Sequence, residues 1–297
     1  MAAGTAQGVV KFLELIKFSH TVFALPFALM GAVLGLAVAP PQSWREGGWM
    51  LLLVVVAMGG ARTGAMGFNR LVDRHFDRKN PRTALRPSVT GEVSVPVMVG
   101  MIFASYAVLV LCAYLLNPLA FALSPVAIFL VSFYSYTKRF TAWCHLFLGL
   151  AIGTSPIAAW IAITGELALA PLVLGLSVMT WIAGFDILYA LQDRDFDLQE
   201  GLSSIPARLG VTGALWVARL LHLGCIGLWF FLGLHLGLLW PYWLGAVAGA
   251  GMLLYEHGLI GKGDLSKVNL AFNLNGWIST TLFVALLGEK LLRLLAP

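Results

Sequence analysis

The chain has 297 residues, of which 59% are hydrophobic and 11% charged, and its mean hydropathy is +0.86. A soluble domain of this length carries about a quarter charged residues, so the composition excludes an ordinary soluble enzyme and calls for an integral membrane protein. The net charge of +5 arises from 19 Lys and Arg against 14 Asp and Glu, few enough that the position of each is informative.

Nine apolar segments are long enough to cross a bilayer as helices, at about 18–39, 49–68, 96–116, 119–136, 144–164, 170–191, 214–234, 239–257 and 268–287. The expected fold is all-α: nine transmembrane helices in one bundle, a single domain over residues 1–297, around a central cavity open to the cytoplasmic side. The first segment opens with Ser19, His20 and Thr21 and has no small-residue cleavage site after it, so it reads as a retained span.

Arg62 lies inside the second segment, seven residues before Asn69 and therefore on the same helix face, one layer deeper. A charge at the centre of a span costs about 2.5–3.5 kcal/mol on insertion scales. Arg62 therefore requires an anion, either the carboxylate of a bound molecule or a structural partner such as Asp186. Asn69, Asp73 and Asp77 follow at spacings of four, drifting only about 80° around a helix and so sharing one face. The polar stretch 69–95 is long enough to cap a site, and Pro81 should end its helix near Asn80.

After the fourth segment come Tyr134, Lys138 and Arg139. The sixth carries Asp186 inside it and Asp193 and Asp197 beyond its end, at offsets that return to nearly the same azimuth, whereas Asp195 points away. The stretch 192–213 forms a second polar cap, and Gly201 is a suitable helix stop. Arg219 and His222 sit near one end of the seventh segment, where they can snorkel to the interface. Asn275 in the last is suited to bonds between helices. Cys112, Cys144 and Cys225 have no metal-ligand spacing and read as packing residues, as do the small-xxx-small pairs such as Gly60 and Gly64.

With the N-terminus inside, the inner segments hold fourteen Lys and Arg, including Lys11, Lys17, Arg82, Arg86 and Lys138, against three outside, Arg45, Lys290 and Arg293. That asymmetry sets the orientation and turns both acid clusters to the cytoplasm, the arrangement expected of an integral protein of a bacterial inner membrane. Mg²⁺ takes six oxygens but only one or two carboxylates, the rest being water and phosphate. Two acid faces could thus grip one diphosphate through two ions, Asn69, Asp73 and Asp77 serving one and Asp193 and Asp197 the other. The competing assignment is local salt bridges to Arg74, Arg78 and Arg194. Asp186, deeper than the metal pair, is suited to take a proton, or else to be the permanent partner of Arg62.

These residues resemble the membrane-embedded UbiA-type aromatic prenyltransferases. NRLVDRHFD at 69–77 is similar to that family's first signature and DRDFD at 193–197 to its second. RTALRP at 82–87 and YSYTK at 134–138 match two further elements. The resemblance implies that Asn69, Asp73, Asp77, Asp193 and Asp197 bind Mg²⁺ and diphosphate. It also implies that Arg86 and Lys138 contact the diphosphate with Tyr134 and Tyr189 nearby, and that Arg62 receives the carboxylate of an aromatic acid. Gln192 stands where some members carry a lysine, a missing contact that Arg139 or Arg208 is placed to supply. The implied substrates are a polyprenyl diphosphate and an acceptor, 4-hydroxybenzoate first and a dihydroxynaphthoate on a menaquinone route second. Membrane lipids surround the protein and no nucleic-acid partner is expected. A CDP-alcohol phosphotransferase lacks its Asp-Gly element here, and an anion transporter would want polar groups from both sides of the membrane.

Overall fold

The computed structural model describes residues 25–260 and 265–295, and every regular element among them is helical. Lys11, Lys17 and the Ser19–His20–Thr21 patch lie outside the described residues. The long helices are α1 (Leu25–Val38), α2 (Trp44–Val72), α5 (Val95–Leu116), α6 (Pro118–Thr137), α7 (Cys144–Thr164), α8 (Leu169–Ala190), α10 (Ile205–His235), α11 (Trp240–Ile260) and α12 (Val268–Leu295). Short helices α3 (Arg74–Lys79), α4 (Pro87–Thr90) and α9 (Arg194–Gln199) occupy the two polar stretches. Nine spans were expected. Among the described residues seven helices are long and apolar enough to cross a membrane; α1 is described over 14 residues, and α11 is not among the seven. The Trp, Tyr, Glu256 and His257 side chains of α11 lower its hydropathy.

Helix ends follow local chemistry. Asn117 caps α6, accepting from the Ala120 amide at 2.8 Å, with Pro118 in the first turn. Asn80 takes an extended conformation and ends α3, as the proline after it requires. Gly201 adopts φ 68° just beyond α9, the left-handed stop anticipated there. Residues 69–79 are nearly continuous helix, as the placement of Pro81 requires, and α10 opens with a short turn from Ile205, where Ser204 accepts the Ala207 amide at 3.3 Å and supplies an N-cap. Gly210 then interrupts α10 with φ 67°.

α2 packs on α5, α7 on α8, α8 on α10, α11 on α12 and α1 on α7. A Cβ on Gly60 would lie 2.6 Å from the Ser105 carbonyl oxygen, so α2 and α5 meet backbone to backbone only because residue 60 has no side chain. A large buried core, including Trp181, Trp229, Tyr242 and Leu174, lies among α8, α10, α11 and α12 and extends to α1 and α7. The bundle exposes Phe103, Leu111, Phe129, Leu220 and Leu244, as a surface facing acyl chains must. His222 does not snorkel: it is buried and bonds to His257 at 2.9 Å and to the Trp181 carbonyl at 3.1 Å. Asn275 does join helices, accepting from Trp181 Nε1 at 2.7 Å and donating to Glu256 at 2.9 Å.

Candidate active site

Beside that core, and sharing Ile161, Trp181 and Ile182 with it, is a cavity of about 710 Å³ walled mainly by α2, α5, α6, α7 and α8. Small and aliphatic side chains line its depth, among them Ala57, Ala113, Ala120, Leu123, Ala127 and Ala158. Lining residues on α6 run from Ala120 to its end, with Lys138 just beyond, a rise of about 27 Å, nearly the thickness of a bilayer core. Most of the charged lining residues, Asp73, Asp77, Arg82, Arg86, Lys138, Arg139 and Asp193, gather at one rim.

The first acid set keeps one helical register across the junction of α2 and α3. The amides of Asp73 and Asp77 donate to the carbonyls of Asn69 and Asp73 at 2.9 and 2.8 Å. Asn69 Nδ2 donates to Asp73 Oδ2 at 2.8 Å, and Arg70 Nη1 donates to Asn69 Oδ1 at 3.0 Å. The second set starts in a single 3₁₀ turn, Leu191–Asp193, and continues into α9. Asp195 is exposed and pairs with Arg194 at 3.1 Å, turned away from the site as its azimuth predicts.

Each of the four signature acids carries one cation. Arg139 lies 2.9 Å from Asp73, Arg86 2.6 Å from Asp77, and Lys138 2.7 Å from Asp197, while Arg82 grips Asp193 through two nitrogens. This is not the local pairing weighed from sequence, because Arg74 instead donates to the Ser88 carbonyl at 2.7 Å. The cations are the same residues proposed to contact a diphosphate, with one addition. Arg82 was not singled out, although it is the first arginine of RTALRP. It also donates to the Tyr189 hydroxyl at 3.1 Å and lies over that ring at 5.3 Å. Asn80 joins it on Asp193 at 3.1 Å and Lys79 reaches Glu200 at 2.6 Å, so the first polar stretch is tied across the second.

Asp197 departs from expectation. Its carboxylate is fully buried, held by Lys138 and by Ser204 Oγ at 2.8 Å, and does not line the cavity; Lys138 stands between. Burial raises the pKa of Asp73 above the usual carboxylate range, against the pull of Arg139. Burial would lower Lys138, but the charge and hydrogen bond of Asp197 prevail and hold it above an ordinary lysine.

Asp77 Oδ2 is buried without a hydrogen-bond partner, as is Arg70 Nε. A buried carboxylate oxygen left unpaired is costly and is a position that a hard cation satisfies. Among the described residues no three His, Cys, Asp or Glu side chains converge on one point. An ion here would draw its remaining ligands from phosphate and water, which is the habit of Mg²⁺. The residues present fit that ion.

Deeper in the cavity lie Arg62, Tyr134 and Asp186, with an aromatic cluster of Phe185, Tyr189 and Phe272 whose centroids are 5.4–6.2 Å apart. Asp186 Oδ2 meets His145 Nδ1 at 2.6 Å. The structure thus gives Asp186 a histidine partner that sequence reasoning did not weigh, because a single histidine 41 positions away carries no spacing signal.

A profile of the UbiA prenyltransferase family matches residues 24–285, which include both signatures and every rim residue described above. The chain belongs to the UbiA prenyltransferase family. It is 34% identical over 265 residues to a 4-hydroxybenzoate octaprenyltransferase of Methylobacillus flagellatus, covering 87% of this chain and 86% of that one. A 4-hydroxybenzoate octaprenyltransferase of Burkholderia mallei is 31% identical over 241 residues, with coverages of 79% and 82%. Among solved structures, a UbiA homolog from Aeropyrum pernix K1 superposes with a TM-score of 0.83 at 31% identity, covering 92% of this chain and 98% of that one. A UbiA homolog from Archaeoglobus fulgidus bound to GPP and Mg²⁺ shares the fold, with a TM-score of 0.71 at 22% identity and coverages of 94% and 99%.

Proposed function

We propose that this UbiA-family protein transfers a polyprenyl group from an allylic polyprenyl diphosphate to an aromatic acid, 4-hydroxybenzoate first, releasing diphosphate in quinone biosynthesis. The observation that carries this reading is the cavity itself: an apolar tunnel of bilayer depth whose rim holds the carboxylates of Asp73, Asp77 and Asp193 and four cations, with Asp197 buried behind Lys138. The family match, and relatives named 4-hydroxybenzoate octaprenyltransferase, favour it over the phosphotransferase and transporter readings.

In the proposed reaction the tail lies along the alanines of α2, α5, α6 and α7, and the diphosphate lies at the rim. Asn69, Asp73 and Asp77 would hold one Mg²⁺, and Asp193 and Asp197 a second. Bound there, the ions would neutralise charge developing on the leaving diphosphate. Arg82, Arg86, Lys138 and Arg139 exchange their carboxylate partners for phosphate oxygens, Arg in bidentate fashion and Lys as a point charge. Lys138 must leave Asp197 for that carboxylate to serve a metal. Tyr134 and Tyr189 flank the group. The segments 69–95 and 192–213, linked through Arg82, Asn80 and Lys79, act as a cap that keeps water from the allylic cation. Arg62, about 10 Å below Asn69 by helix rise, anchors the acceptor's carboxylate. The cap and rim face the cytoplasm of a bacterial inner membrane, the side with the excess of Lys and Arg.

Purified protein given geranyl diphosphate and Mg²⁺ should prenylate 4-hydroxybenzoate and make no product without acceptor. A preference for a dihydroxynaphthoate would move the protein to a menaquinone route. No product with either acceptor, from folded protein, would refute prenyl transfer to aromatic acids.

A further inference from the structure

We infer that Asp186 accepts the proton that the aromatic ring loses on prenylation, and that His145 is the positioning residue that holds Asp186 for it. This rests on the prenyl-transfer function proposed above and adds the proton acceptor that function lacks.

The proton on His145 can be placed from its two contacts. The backbone N–H of Ile205 can only donate, and it lies 3.3 Å from His145 Nε2. Nε2 is therefore the acceptor, and the proton of the neutral imidazole sits on Nδ1, facing Asp186 Oδ2 at 2.6 Å. Both ring nitrogens are thus used inside the protein, and the ring itself is only 2% exposed. Asp186 is a carboxylate with one oxygen fixed by a buried donor, yet it remains 27% exposed and lines the cavity. An imidazole that fixes a carboxylate on a cavity wall restricts it to one orientation, which a general base needs.

Depth agrees. Asp186 lies seven residues before Asp193 and Arg62 seven before Asn69, so each lies about 10 Å below its acid set by helix rise. A ring anchored through its carboxylate to Arg62 is then level with Asp186, between the metal rim and the tail. Phe185 and Tyr189, flanking Asp186 on α8, form with Phe272 an apolar aromatic wall at that level. In the step, the allylic C–O bond breaks with its electron pair leaving on the diphosphate. The ring carbon beside the hydroxyl forms the new C–C bond. The C–H pair at that carbon returns to the ring, the proton goes to a carboxylate oxygen of Asp186, and water removes it after turnover.

The test compares wild type, Asp186→Asn, His145→Leu and His145→Asn in detergent, using geranyl diphosphate, Mg²⁺ and 4-hydroxybenzoate with and without deuterium at the ring positions beside the hydroxyl. Mg²⁺-dependent binding of geranyl diphosphate is measured on each to establish an intact rim. Asp186→Asn should lose on the order of 100-fold in kcat and acquire a ring-deuterium isotope effect that wild type lacks, as proton loss becomes limiting. His145→Leu should move the same way with little change in acceptor KM. His145→Asn, which can offer an amide N–H near the place of Nδ1–H, should recover most of the rate. Wild-type kcat and no isotope effect in Asp186→Asn would overturn the base role and leave the proton to diphosphate or water. Equal losses in His145→Leu and His145→Asn without an isotope effect would reduce His145 to packing. Lack of product from wild type would instead sink the proposed prenyl transfer.

Discussion

Lys138→Met removes the cation that pairs with a fully buried carboxylate. Asp197 is 0% exposed, and without Lys138 at 2.7 Å it keeps Ser204 at 2.8 Å as its remaining bond. Taking away one partner of a buried pair costs about 3–5 kcal/mol. The Lys138 side chain is 33% exposed, so water screens part of the interaction, and about 2 kcal/mol is the appropriate figure. At about 2–4 °C per kcal/mol, thermal unfolding in detergent should fall by about 4–8 °C. The pKa of Lys138 is raised in the fold, so its contribution is fully present below the ordinary lysine value and is lost as pH rises through the raised one. Asp197 is itself raised by burial, so the difference between wild type and variant should shrink both at high pH, as Lys138 loses its proton, and at low pH, as Asp197 gains one. Adding Asp197→Asn to the variant should restore most of the lost stability, because the uncompensated charge is gone. An unchanged melting temperature in the single variant, or a double variant no more stable than the single, would refute the pairing as a stabilising element.

Arg62→Ala should raise the KM for a carboxylated acceptor by about 10- to 100-fold, the worth of a charge-assisted contact, and leave the KM for geranyl diphosphate near wild type; steady-state kinetics in both substrates check it. Ala127→Phe fills part of the tunnel on α6, so kcat/KM for an octaprenyl diphosphate should fall well below that for geranyl diphosphate in a direct competition. Gly60→Leu places a side chain against the Ser105 carbonyl, and overpacking of about 1–3 kcal/mol should appear as a lower melting temperature whether or not substrate is present.

The chemistry at the rim was legible because it is local. Asn69, Asp73 and Asp77 announce themselves through i, i+4 spacing, and the structure preserves that register even though α2 formally ends at Val72. Asp195 is exposed and paired with Arg194, the outward direction its azimuth gives. What the sequence hid is carried by contacts between distant segments. Arg82 meets Asp193 across 111 positions and His145 meets Asp186 across 41, so neither pairing has a spacing signature. Asp197 was assigned to the second ion from its helix face, and what the sequence did not reveal is that the 3₁₀ turn before α9 and the Ser204 cap bury it behind Lys138. The short helical turn that precedes Gly210 was hidden because apolar periodicity locates a span but not the polar turns before it, where Ser204 and Pro206 start the helix and Gly210 breaks it ahead of the apolar segment.

The most direct test of the central claim is Mg²⁺-dependent product formation from a polyprenyl diphosphate and 4-hydroxybenzoate by wild type, Asp77→Asn and Asp193→Asn, each verified as folded by thermal melting. Wild type should form prenylated product that EDTA abolishes and excess Mg²⁺ restores, and each variant should lose at least about 100-fold in rate, as removal of a charge-stabilising group does. Product formed at wild-type rates by either variant, or in EDTA, would contradict the assignment of these carboxylates to a metal-bridged diphosphate.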